Sequence, residues 1–223
     1  MRNRQAGFTL VEIAIVLVII GLLIGGVLKG QELINSAKVK KLTNDFRNIP
    51  IYIYAYQDRF RALPGDDANV TTHLSGATKA STNGTVGNGI IEGAWFSGTS
   101  SDETYLFWQH VRLAGLAPGS TVVGSDDYIP RNAEGGRIGV TGANNSPVVA
   151  NGKKLLGTYF ICSGNISGRF AKQLDLMMDD GDTASGSMMT TANQTGTGNA
   201  TASSAVSTDR IVDGDTYMVC MGI

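Results

Sequence analysis

Cysteine and histidine are scarce in this chain of 223 residues, with two of each. Two cysteines exclude a disulfide-dense scaffold and a four-cysteine zinc site. Two histidines leave little material for a metal centre or a nucleophilic triad. Neither has a Cys or His neighbour at ligand spacing, so a surface role for His73 and a packed one for His110 are expected. An excess of one charge is missing too. The 18 Lys and Arg balance 19 Asp and Glu, a formal net charge of −1, which provides no basic field for nucleic acid. No G-x-S-x-G, Walker A or H-E-x-x-H occurs, and no G-x-G-x-x-G with a following acidic residue. Composition therefore disfavours an enzyme and a nucleic-acid binder.

What is present is unevenly spread. Mean hydropathy is only +0.01, yet Phe8 to Leu28 is an apolar run with a single ionisable residue, Glu12. As a helix that run spans roughly 31 Å, about one hydrocarbon core. It has no polar stripe, which marks a membrane segment rather than an amphipathic core helix. Arg2 and Arg4 precede it, and Gly21, Gly25 and Gly26 weaken it as a helix. A secretory signal peptide fits poorly: the run is longer than a usual apolar region, holds a charge, and lacks a following Ala-x-Ala. A plain anchor fits poorly too, because an intramembrane carboxylate is costly and a functional candidate by default.

The third reading rests on Gly7-Phe8-Thr9-Leu10-Val11-Glu12 behind a short basic leader. This segment resembles the processing signature of type IV prepilins and type II secretion pseudopilins. The resemblance implies cleavage by a prepilin peptidase between Gly7 and Phe8 and N-methylation of Phe8. It also implies a filament-assembly role for Glu12. Glu12 lies about one helical turn from the new amine, so it should not easily serve only its own chain. Pairing with the Phe8 amine of a neighbouring subunit would make it a register device, and removing one partner of a buried pair typically costs about 3–5 kcal/mol. The competing account is that Glu12 snorkels to the headgroups. Lys29, Lys38, Lys40 and Lys41 follow the span; by lysine counting they would place the body in the cytoplasm, whereas the resemblance places it outside.

Beyond the span, Leu42, Phe46, Ile49, Ile53, Tyr56 and Phe60 recur at helical spacing and predict an amphipathic continuation to Arg61. Pro50 falls inside it and should kink it. Leu63-Pro64-Gly65-Asp66-Asp67 reads as the stop. Residues 68–104 read as a long loop with room for a short hairpin, and Asp102–Ala114 as a helix. Strands are expected at Arg137–Val140, Leu155–Cys162 and Tyr217–Met221, a helix at Ser167–Met178, and a flexible polar loop over 181–208. Trp95, Phe96, Phe107 and Trp108 read as core.

The expected architecture is α+β and pilin-like: a long N-terminal helix on a small antiparallel sheet with long polar loops. Its parts are a leader at 1–7, a transmembrane and filament-packing helix at 8–28, an amphipathic continuation at 29–62 and an extracytoplasmic domain at 63–223. The N-terminal resemblance is sharp over about the first thirty residues. The Leu-Pro-Gly-Asp turn, Tyr105–His110 and Asp179-Asp180-Gly181 resemble the bodies of unassigned prepilin-type proteins more loosely.

The resemblance implies a structural, non-enzymatic subunit, made as a single-pass inner-membrane precursor in bacteria and assembled into a surface or periplasmic filament. Its partners would be other pilin or pseudopilin subunits, the prepilin peptidase, the inner-membrane assembly machinery and the membrane. The alternative is a membrane-anchored binding domain that does not polymerise. An extracytoplasmic body permits a Cys162–Cys220 disulfide, contributing roughly 4 kcal/mol on the chain-entropy account, with two buried free thiols as the competing state. No cofactor is expected. The acidic clusters could hold calcium, with Asp179, Asp180 and Asp182 as the weak candidates, although Asp at turns needs no metal.

Overall fold

The computed structural model describes residues 9–193 and 202–223. The first element is a 51-residue helix, α1 (Leu10–Phe60). The chain divides into two compact units, Met1–Lys40 and Lys41–Ile223, and α1 contributes to both.

In the first unit α1 is the apolar rod that its sequence predicts. Leu10, Val11, Leu17, Val18, Leu22 and Leu28 are all exposed. Its most apolar window has a mean hydropathy of 2.9 and is wholly unburied. α1 is long and apolar enough to cross a membrane.

In the second unit α1 becomes amphipathic. Leu42, Phe46, Ile49, Ile53 and Tyr56 are buried, so one face of the helix enters the core. The helix continues through Pro50, whose missing N–H leaves the Phe46 carbonyl without its usual donor. It ends when Arg61 adopts a left-handed conformation, φ 55°. Two short segments follow: α2 (Val70–His73) and α3 (Glu103–Leu113). Trp108 and Arg112 of α3, with Lys41, Ile49 and Tyr52 of α1, line a cavity of about 140 Å³.

The sheet is antiparallel and four-stranded. Its strands are β1 (Ile138–Gly142), β4 (Tyr159–Ser167), β5 (Met188–Ala192) and β7 (Thr216–Gly222), in the order β1-β4-β7-β5. α4 (Gly168–Met178) connects β4 to the turn before β5. A second, three-stranded sheet joins β2 (Val148–Ala150), β3 (Lys153–Lys154) and β6 (Ser203–Ser204), with β2 and β6 parallel. Gly139 is required where β1 passes the backbone of Trp95, since an added Cβ would meet the Trp95 carbonyl oxygen. Trp95, Phe96, Phe160, Met189, Met218 and both cysteines form one buried cluster.

The long helix against an antiparallel sheet is the α+β, pilin-like arrangement expected. Two local expectations are corrected. Residues 181–208 are not simply a polar loop, because Met188–Ala192 is the edge strand of the main sheet and Ser203–Ser204 belongs to the small one. Met188, Thr190 and Thr191 are fully buried there, and Met189 nearly so. A strand covered on both faces shows no polar–apolar alternation, which hid β5. The segment 68–104 holds no hairpin among the described residues, but it contains α2 and an isolated bridge between Thr82 and Asp102.

Candidate functional site

Gly7 and Phe8, the expected cleavage and methylation residues, lie outside the described residues. The description starts at Thr9, and there the helix start has a defined chemistry. The Thr9 amide donates to Glu12 Oε2 at 2.8 Å, and its hydroxyl donates to the same oxygen at 2.7 Å. The Glu12 amide donates back to Thr9 Oγ1 at 3.3 Å. This is a reciprocal capping box, Thr-x-x-Glu, which satisfies two of the amides that a helix start leaves without partners. Glu12 thus has a partner on its own chain besides the neighbouring-subunit amine that the resemblance implies. The signal was in the sequence, as a Thr three residues before a Glu at the head of an apolar run.

The helix stop carries more than a turn. Asp67 is buried and accepts from Tyr56 Oη at 2.8 Å and from the Asn69 amide at 2.9 Å. His73 Nδ1 lies 2.6 Å from the same carboxylate, and its ring stacks on Phe60. His73 is thus partly packed rather than a loose surface residue. His110, fully buried, accepts the Gly65 amide at Nδ1, 2.8 Å away, and its Nε2 reaches the Thr78 carbonyl oxygen at 2.8 Å. Those two contacts select the neutral tautomer with the proton on Nε2, and burial holds the pKa of His110 below the usual imidazole value. Gly65 has φ +94°, and a Cβ there would sit 2.4 Å from the Glu103 carbonyl oxygen. Both histidines therefore anchor structure.

Glu103 and Asp102 open α3 inside an acidic surrounding. Asp102 accepts from Thr82 Oγ1, Asn83 Nδ2 and Ser97 Oγ, which pins the loop before α3. Glu103 is fully buried; its Oε2 accepts the Glu92 amide at 2.7 Å, while Oε1 has no hydrogen-bond partner. Desolvation, with the charges of Asp66, Glu92 and Asp102, pushes its pKa up to about 7.

Cys162 and Cys220 occupy directly opposed positions of β4 and β7 and form a disulfide, with Cα atoms 4.1 Å apart. Such short separations belong to narrow, non-hydrogen-bonded antiparallel pairs. The late acidic cluster has a different membership from the expected one. Carboxylate oxygens of Asp175, Asp179 and Asp180 lie within 4.8 Å of one another, and Asp182 is not in the group. Periodicity hid Asp175, because it reads as one polar position in the amphipathic α4.

The chain thus presents a capped, wholly exposed apolar helix of membrane length, behind a basic segment ending in Gly7-Phe8, and a body whose titratable groups serve packing. Residues 2–28 match the family model for the prokaryotic N-terminal methylation motif. The chain therefore carries the hallmark of type IV pilin and pseudopilin precursors. This motif marks structural pilin-type proteins, not enzymes, and it implies in general a prepilin peptidase and assembly with other pilin subunits. With one long apolar helix it fits a membrane-anchored, single-pass precursor. No curated protein and no solved structure matches the chain.

Proposed function

We propose that this prepilin-type protein is a structural subunit of a type IV pilus or type II secretion pseudopilus. Prepilin peptidase cuts after Gly7, Phe8 is methylated, and the mature chain leaves the inner membrane for a helical filament through α1. The observation that carries this reading is the methylation motif continuing into a helix whose most apolar stretch is wholly unburied in the isolated subunit. Such a surface demands cover, first by lipid and then by other copies of the same rod.

Within this reading Glu12 has two successive partners. In the solitary subunit it caps its own helix through Thr9. In the filament it turns to the methylated Phe8 amine of a neighbour, exchanging a hydrogen-bonded cap for a charge pair. The capping box alone also suits a tether that never polymerises, and one experiment separates the two. Filaments are sheared from cells and the mature N-terminus is read by mass spectrometry, for the wild type, Glu12→Leu and Thr9→Ala. The filament reading expects N-methyl-Phe8 in the sheared fraction, loss of the Glu12→Leu protein from it, and retention of Thr9→Ala. An intact Met1 and no sheared material would establish the tether.

A further inference from the structure

The glycine-rich stretch before α3 is wrapped around four carboxylates. Asp66, in the helix stop, accepts the amides of Gly87, Asn88 and Gly89. Glu92 accepts the Thr85 amide at 2.7 Å and Asn88 Nδ2 at 2.9 Å. Asp102 holds Thr82, Asn83 and Ser97, and Glu103 accepts the Glu92 amide. Every one of these donors is neutral. Among the described residues no ion pair reaches any of the four acids.

Glu103 is the member without relief. It is fully buried, and its Oε1 has no hydrogen-bond partner. That oxygen lies close to another carboxylate: Glu103 Oε1 and Glu92 Oε2 are each 2.9 Å from the point a Gly84 Cβ would occupy. Two like charges at such a place, one of them stripped of water, are costly to keep. A proton on Oε1, the oxygen with no acceptor duty, removes the conflict and leaves the bond to the Glu92 amide intact. Desolvation, joined by the charges of Asp66, Glu92 and Asp102, favours that proton and pushes the pKa up to about 7.

The same stretch covers an edge of the main sheet. The Ile91 carbonyl accepts the Gly142 amide at 2.7 Å. The Gly93 carbonyl accepts Thr141 Oγ1 at 2.8 Å and Asn145 Nδ2 at 3.0 Å. β1 is an edge strand, so these bonds occupy groups that an uncovered edge would offer to another chain. We propose that Glu103 is a proton-operated clasp, which when neutral holds the loop 84–93 over the edge of β1 and when ionised favours its release. The device needs neither lipid nor a second copy, so it stands or falls apart from the filament reading.

Hydrogen–deuterium exchange of the full chain in detergent, read by mass spectrometry with labelling times scaled to the intrinsic rate at each pH, tests the clasp. Release of the loop lets Glu103 titrate at its ordinary value of 4.5, so protection of 84–93 falls about tenfold per pH unit from there to about 7 and is level above. Over the same range the loop exchanges well before β4 and β7. Glu103→Gln, neutral at every pH, abolishes the slope. Glu92→Gln, at a partly exposed position, removes one of the charges that favour the proton and lowers the pH at which protection levels off. Protection that is independent of pH in the wild type, a slope that survives Glu103→Gln, a levelling point unmoved by Glu92→Gln, or a loop that exchanges only together with β4 and β7 would overturn the proposal.

Discussion

A single buried carboxylate can be read directly from a pH titration of stability, and Glu103 offers one. Its pKa in the folded protein is raised to about 7, whereas an unfolded glutamate titrates near the ordinary value of 4.5. Between those two values the folded state holds more protons than the unfolded one. Stability therefore falls as pH rises through that window and levels off above about 7, for a total loss of about 3 kcal/mol. Glu103→Gln should reduce this slope in denaturant titrations at a series of pH values, with Asp175, likewise raised to about 7, carrying the remainder. His110 and Gly65 are another residue-scale pair: the stop motif Leu-Pro-Gly-Asp is legible as a turn, but the histidine waiting 45 positions later to accept the Gly65 amide is not. Sequence spacing reports local geometry, and that contact is made by tertiary packing.

At the scale of the element, α1 carries two separate roles along one continuous helix. The heptad-like spacing of Leu42, Phe46, Ile49, Ile53 and Tyr56 foretold the buried face, and each of these residues is buried. Phe46→Ala should therefore destabilise the body by about 3–5 kcal/mol in chemical denaturation. Leu17→Ala should leave that transition unchanged, since Leu17 is 64% exposed and touches no core. Unequal effects of this size would show that the helix is a core element above Lys41 and a free surface before it. β5 shows the opposite case. Its Met-Met-Thr-Thr run lies in a tract of small polar residues, and its strand character comes from pairing with β7 and not from its own pattern.

For the whole molecule, the disulfide joins the last strand to the centre of the sheet. The separation of 58 residues between Cys162 and Cys220 makes it a long closed loop. Replacing both by alanine should lower stability by about 4 kcal/mol, measured against the oxidised wild type in a non-reducing denaturant titration. Because the pair lies within the buried cluster of Trp95, Phe160 and Met218, part of that loss would come from packing.

The sequence alone determined the N-terminal methylation motif, the apolar span, the amphipathic stripe, the helix stop and the α+β class. Each of these is a local pattern of a few residues or a simple periodicity, and local chemistry imposes it wherever the chain goes. Only the tertiary structure decided that His110 accepts the Gly65 amide, that a polar tract supplies an edge strand, and that Asp175 replaces Asp182 beside Asp179 and Asp180. These depend on which groups are brought together and stripped of water, and burial is a property of the folded chain as a whole.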